Sequence, residues 1–441
     1  MSFPRYPAYK PSGVEWLGEV PEHWEVKRIA SLYSESVEQG NEELPVLSVS
    51  IHHGVSDSEL SEEEMDRKVV RSEDRSKYKR VAPGDLVYNM MRAWQGAFGS
   101  VVVDGMVSPA YVVAKPKSDL PSEWIEYLLR TDFAVNEIKR FSRGITDFRL
   151  RLYWDEFKNL RICVPPEEDR VSILRFLDHE TAKIDALIAE QQCLIELLQE
   201  KRQAVISHAV TKGLNPDAPM KDSGVEWLGE VPEHWEVRKV SQLFDAIGSG
   251  TTPKSETVEF YEDGVIPWLV TGDLNDSLLC DCQNRITESA MAQHTTLRLY
   301  PAGSVAVAMY GATIGKASIL DFEATVNQAC CVLPPTALVL NRFLLGFILA
   351  ARKHLLSIAT GGGQPNINQE VIRSLRLPLP KLDEQAAIVS HLERSLDEFE
   401  LLLALSSQQV ALLQERRSAL ISAAVTGQID VRGLVPEAEA V

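Results

Sequence analysis

Two stretches of the chain place apolar residues at a strict seven-residue interval. Leu177, Ile184, Gln191, Leu198 and Val205 form the first series, and Leu392, Phe399, Ser406, Leu413 and Leu420 form the second. Leu187, Ile188, Leu194 and Ile195 fill positions three and four residues after members of the first series. That period is the seam of a coiled coil. Residues 166–212 and 380–426 are therefore each predicted to be a long helix, the first with at most one break. Pro165-Pro166 and the acids Glu167, Glu168 and Asp169 open the first, and Lys212-Gly213 closes it, in keeping with helix polarity. Elsewhere the period changes. Val/Leu-rich runs at 44–51, 86–90, 100–103 and 111–114 read as strands, with Ala82-Pro83-Gly84-Asp85 as a turn. Residues 123–140, with Ile125, Leu128, Leu129, Phe133 and Ile138 at helical spacing, read as an amphipathic helix. The expected fold class is α/β (α+β).

The chain also repeats itself. Residues 13–26 recur unchanged as residues 224–237, an offset of 211, and residues 200–211 match residues 415–426 at an offset of 215. The segments between these anchors diverge almost completely, the pattern of one scaffold with two different contents. The predicted plan is a variable domain (1–165), a long helix (166–212), a linker (213–223), a second variable domain (224–379), a second long helix (380–426) and a tail (427–441). A duplicated chain favours pseudo-two-fold symmetry, which makes the two helices antiparallel. The symmetric register sets Leu177 opposite Leu420, Ile184 opposite Leu413, Leu198 opposite Phe399 and Val205 opposite Leu392, with a polar Gln191/Ser406 layer at the centre. The alternative is that each helix packs only on its own domain.

With 441 residues there is room for two to four domains. The net charge of −18 speaks against a nucleic-acid ligand for the surface as a whole, but phosphate contacts are local. Arg67, Lys68, Arg71, Arg75, Lys77, Lys79 and Arg80 crowd one stretch, and Lys139, Arg140, Arg143, Arg149 and Arg151 another. The six cysteines make no CxxC pair and are expected to be reduced thiols. The first residues lack the plan of a signal peptide and no apolar run is long enough to span a membrane, so a cytoplasmic location without membrane contact is expected.

Candidate catalytic strings fail on inspection. Gly248-Ser249-Gly250-Thr251-Thr252-Pro253-Lys254-Ser255 departs from a phosphate loop at Pro253, and Gly311-Ala312-Thr313-Ile314-Gly315-Lys316 is one residue short of one. Val164-Pro165-Pro166-Glu167 and Leu333-Pro334-Pro335-Thr336 lack the acid or amide and the aromatic that amino-methylation of DNA needs. His52-His53, the one histidine pair, points apart in a strand. No catalytic residue and no metal ligand is assigned. What remains is recognition chemistry: Thr251, Thr252, Lys254, Tyr310, Thr313, Lys316, Asn327, Gln328, Gln364, Asn366 and Asn368 in the second domain. The first offers Lys77, Lys79, Arg80, Arg92, Trp94, Gln95, Arg143 and Arg149, with Tyr88, Met91 and Ser108 at corresponding places. Amides suit adenine edges, arginine suits guanine, and glycine admits a close backbone.

These residues resemble the specificity (S) subunits of type I restriction–modification systems over essentially the whole chain. The carriers are the Trp-Leu-Gly-x-Val-Pro-x-x-Trp openings (16–24 and 227–235), Gly250-Thr251-Thr252-Pro253, Ile266-Pro267-Trp268, Gly362-Gly363-Gln364-Pro365-Asn366-Ile367, and the helix starts Asp169-Arg170 and Glu384-Gln385. The first domain departs from the Gly-x-Thr-Pro and Gly-Gly-Gln-Pro forms. The resemblance implies a non-catalytic subunit with two target-recognition domains, each reading half of a split duplex DNA target, and paired helices that set the gap. It also implies two methyltransferase (M) subunits acting on adenine N6 and two restriction (R) subunits. No cofactor is expected on this chain; S-adenosylmethionine, ATP and magnesium are expected on the partners. A coiled-coil adaptor binding proteins only would explain the helices, but not two divergent domains between repeated flanks.

Overall fold

A computed structural model describes residues 3–41, 43–51, 53–60, 75–144, 150–361 and 365–435. The chain forms two compact units, one of Met1–Gln191 with Gln408–Val441, the other of Gln192–Ser407. The two long helices are unbroken: Glu167–Lys212, 46 residues, and Leu382–Val425, 44 residues. Each gives one half to each unit. Gly213 (φ 75°) and Gly427 (φ 74°) follow their last turns in the left-handed conformation that ends a helix.

In the first unit a four-stranded sheet is built from β1 (Tyr33–Ser36), β2 (Leu86–Asn89), β3 (Phe98–Ser100) and β4 (Tyr111–Pro116), in the antiparallel order β1-β4-β2-β3. The strand expected at 100–103 lies earlier, at β3, and the run 44–51 is a strand only at Val49–Ser50. Pro45 has no N–H for a ladder, and Val46 makes only an isolated bridge with Met106. The helix expected at 123–140 is two, Ser122–Leu129 and Asp132–Phe141. Thr131 divides them, its side-chain oxygen accepting from Ala134 N as an N-cap. Trp24, Tyr33, Tyr88, Phe98, Trp124 and Phe157 are fully buried in the core.

Leu177, Ile184, Leu413 and Leu420 share that core. Arg417 Nε donates to Asp185 Oδ1 (2.8 Å) and Nη2 to Oδ2 (3.2 Å), while Cys163, just ahead of the first helix, meets the Val425 carbonyl near the end of the second. The two helix segments are antiparallel, as the symmetric register requires.

In the second unit the sheet comprises β5 (Gly248–Ser249), β6 (Leu278–Leu279), β7 (Val305–Ala308), β8 (Ala317–Leu320) and β9 (Cys330–Leu333), ordered β5-β9-β7-β8-β6. Its first four positions repeat the topology of the first sheet. The helix Asn341–Ser357 brings Gly346 against the first long helix: a Cβ there would sit 3.0 Å from Val210 and 3.6 Å from Leu392. Ile206, Val210, Ile388 and Leu392 pack in one core, with Val205 against it; Phe399 is buried and Leu198 half-buried. Of the expected central pair, Gln191 belongs to the first unit and Ser406, buried, to the second. Leu187 and Leu194 are not part of the seam. They are 45% and 41% exposed, and their neighbours Ile188 and Ile195 are the half-buried ones; a two-helix seam has no room for both flanking positions.

The repeated opening motif plays one part in both units. Trp235 packs 3.2 Å from the Cβ position of Gly213, at the end of the first long helix, and Lys212 Nζ donates to the Leu228 carbonyl. Trp24 and Pro21 pack equally on Gly427, at the end of the second, where Tyr9 donates to the Gly427 carbonyl (3.1 Å) and Asp430 N to the Pro4 carbonyl (2.8 Å). Each motif copy therefore stops the other copy's helix.

Candidate nucleic-acid interface

The register of the second sheet gathers the sequence-predicted residues at one end. Gly248 pairs with Val332 and Ser249 with Cys331, so residues 250–254 run on past the start of β9. Ala308 pairs with Cys330, which puts residues 309–316 and 326–329 at that same end. Met309 N donates to the Ala329 carbonyl (2.8 Å) and its own carbonyl accepts from Ile367 N (2.9 Å), adding residues 365–367 and, through the Thr360–Asn366 bonds, Thr360. Thr251, Thr252, Lys254, Tyr310, Thr313, Lys316 and Asn366 thus come together from three separate segments, with Asn327 and Gln328 on a fourth.

The loops are held firmly. Trp268 Nε1 donates to the Thr251 carbonyl (3.2 Å) and Tyr261 to the Pro253 carbonyl (2.5 Å), so the Ile-Pro-Trp motif braces the Gly-Thr-Thr-Pro motif. Gly250 is required by close approach, since a Cβ there would lie 1.7 Å from the Val326 carbonyl oxygen. Thr252 donates to Gln328 Oε1 (2.6 Å) and Thr313 to the Tyr310 carbonyl (2.7 Å). Lys254, Thr252, Gln328 and Asn366 are exposed, and Lys316 and Thr313 half-buried. Asn368 serves the fold instead, because its Oδ1 accepts from Val371 N (3.0 Å) and caps the helix Gln369–Ser374. Thr360, exchanging backbone bonds with Asn366, belongs to the cluster and had no signal in the sequence.

In the first unit the same end of the sheet holds the other set. Asn89 pairs with Tyr111, so residues 90–95 and 108–110 lie together. Met90 N donates to the Ala110 carbonyl (3.3 Å) and its carbonyl accepts from Leu152 N (2.9 Å), next to the Arg143–Arg151 bridge. Lys79 Nζ donates to the Tyr111 carbonyl (2.8 Å), and burial pulls its ammonium below the usual lysine range. Arg92 and Trp94 are half-buried, and Gln95, Lys77 and Arg143 exposed. Several cations already hold acids: Arg80 with Glu38 (3.1 Å) and Asp104 (3.7 Å), Arg143 with Glu156 (2.6 Å). The Arg80 pairs are exposed on both sides, and pairs of that kind are worth about 0–1 kcal/mol. Tyr88 is not a reading residue; it is fully buried against Phe98 (5.0 Å) and Phe157 (4.8 Å). Arg149 and Gln364 lie outside the described residues, as do Arg67, Lys68, Arg71, Gly362 and Gly363.

Among the described residues no group of three or more His, Cys, Asp or Glu could hold a metal ion, and no helix is long and apolar enough to cross a membrane. The six cysteines are free.

Residues 232–408 match the family model of the type I restriction modification DNA specificity domain. The chain is 27% identical over 229 residues to the type I restriction enzyme EcoR124I/EcoR124II specificity subunit of Escherichia coli, a match covering 50% of this chain and 50% of that one. It is 24% identical over 438 residues to the type I restriction enzyme MjaVIII specificity subunit of Methanocaldococcus jannaschii, covering 94% of this chain and 95% of that one. A chain solved in work on complex assembly and conformational transition of the type I restriction–modification system has the same fold, with a TM-score of 0.70 at 16% identity over 92% of this chain and 98% of that one. By its repeated motifs, its relatives and its fold, the chain is similar to the specificity subunits of type I restriction–modification systems.

Proposed function

We propose that the chain reads a two-part target in duplex DNA, one half per unit, and positions methyltransferase and restriction subunits on it without chemistry of its own. One observation carries this reading: two unlike sets of amide, hydroxyl and cationic side chains occupy the same topological place, the end of a sheet ordered alike in both units. Phosphate contacts would set the register and side chains on base edges the sequence. The long helices set the distance between half-sites. They also present exposed leucines, Leu194, Leu197, Leu401, Leu402 and Leu405 in the second unit and Leu187 and Leu412 in the first, as expected where two M subunits dock. Those subunits would bring S-adenosylmethionine and flip the target adenine out of the stack; two R subunits would bring ATP and magnesium.

The test is methylome sequencing of a host expressing the chain with its neighbouring M subunit. A new adenine-methylated two-part motif, changing in one half when residues 40–150 are swapped, is expected. No new methylation, with the M subunit shown active beside another S subunit, would leave a protein-binding adaptor as the reading.

A further inference from the structure

Tyr310 and Met91 occupy one equivalent position in the two units. Each follows a methionine, Met309 or Met90, whose N–H and carbonyl are both fixed by backbone hydrogen bonds to equivalent segments (Ala329 and Ile367; Ala110 and Leu152). A single 3-10 turn comes next in each, Gly311–Thr313 or Ala93–Gln95, with a left-handed glycine beyond it, Gly315 (φ 76°) or Gly96 (φ 87°). On this rigid mount both units leave a large side chain in solvent: Tyr310 is 39% exposed and Met91 46%. The hydroxyl of Tyr310 makes no hydrogen bond among the described residues.

The surrounding exposed residues are amides and cations, suited to base edges and phosphate. A thioether is not, because it donates no hydrogen bond. What methionine and tyrosine share is an apolar, polarisable surface that packs on rings. Side chains of this kind, held at a DNA surface, act as wedges at a base step.

We infer that Tyr310 and Met91 are a matched pair of shape-reading residues, one per half-site, each packing its apolar surface against an unstacked base step of the duplex. The inference rests on the proposed reading of DNA and adds a mode of contact to it. Specificity at those steps then comes from how easily the step opens, not from hydrogen bonds.

The experiment uses the full chain assembled with its M subunits and duplexes carrying 2-aminopurine at successive positions of each half-site. Wild type should raise fluorescence at one step per half-site besides the position of the flipped adenine. Tyr310→Ala should abolish the rise in one half only and weaken binding roughly 10-fold, the usual scale for a lost base contact of this type. Tyr310→Phe should keep both. Met91→Ala should act likewise on the other half, and Met91→Leu should keep the signal. Wild-type fluorescence and affinity for Tyr310→Ala would overturn the inference, and so would a Tyr310→Phe variant as defective as Tyr310→Ala, since the hydroxyl would then carry the contact. In both cases sequence-specific binding persists and the function stands. If the wild-type complex binds no specific sequence, the function falls and the inference with it.

Discussion

Trp24 and Trp235 hold the same place in the repeated motif and are both fully buried, yet their indole nitrogens meet opposite fates. Trp24 Nε1 donates to Asp169 Oδ2 at 2.9 Å, and Asp169, only 5% exposed, also takes His23 at 2.7 Å. Glu384 stands where Asp169 does but pairs with His234 (2.9 Å), and the buried Nε1 of Trp235 finds no acceptor among the described residues. Replacing each tryptophan by phenylalanine removes the same atoms from similar surroundings, so the packing losses largely cancel in a comparison. Trp24→Phe also gives up a hydrogen bond to a charged group, about 1.5–3 kcal/mol, whereas Trp235→Phe removes a desolvated donor that costs about 1–3 kcal/mol. Trp24→Phe should therefore be the more destabilising by at least about 2.5 kcal/mol. Urea unfolding gives the difference from midpoints if m is unchanged. Because two units need not unfold together, hydrogen exchange around residues 20–26 and 231–237 should accompany it. Costs equal within about 0.5 kcal/mol, the usual error of such comparisons, would refute the assignment of the Asp169 bond as the difference between the motif copies.

Four shorter predictions rest on the same geometry. Gly250→Ala, forced against the Val326 carbonyl, should cost at least about 2 kcal/mol and abolish recognition of one half-site, read as loss of that half from the methylated motif. His354 stacks on Trp227 (5.3 Å), and burial lowers its pKa below 6.5. A group depressed on folding contributes stability that is present above its unfolded value and lost as pH falls through the folded one, so melting of the second unit should fall as the pH drops below about 7, and less so in His354→Phe. The Asp185–Arg417 pair, half-exposed, should show a coupling of no more than about 1 kcal/mol in a double-mutant cycle, shrinking with salt. DNA binding by the chain alone should be weak and steeply salt-dependent, given its charge of −18, and tight specific binding by the purified chain would contradict that.

The long helices and their register were legible because a seven-residue period leaves few alternatives: Leu177, Ile184, Leu413 and Leu420 are buried together. Periodicity does not say which apolar flank turns inward, and so Leu187 and Leu194 fall outside the seam that their spacing suggests. Nor does it reveal a cap inside an amphipathic run, which is why Thr131 divides one expected helix. The residue types of the candidate site were visible, but their assembly was not. Trp268 supports Thr251 from 17 positions away, and Glu38 meets Arg80 from 42; such pairings arise from strand register rather than local pattern. Asn368 looked like a reader because an amide serves equally well as a helix cap.

The second unit is one uninterrupted stretch, Gln192–Ser407, while the first needs Met1–Gln191 and then Gln408–Val441. During synthesis the ribosome therefore delivers everything the second unit requires before it delivers the last strip of the first. Until that strip emerges, Leu177 and Ile184 lack Leu413 and Leu420, and Trp24 lacks the Gly427 turn it packs against. The amino-terminal unit, made first, is thus the last to be completed, and the loop it must close spans more than two hundred residues, an entropic cost that grows only slowly with length. A ribosome stalled before residue 408 would hold a nascent chain with an open apolar strip, the kind of surface chaperones bind.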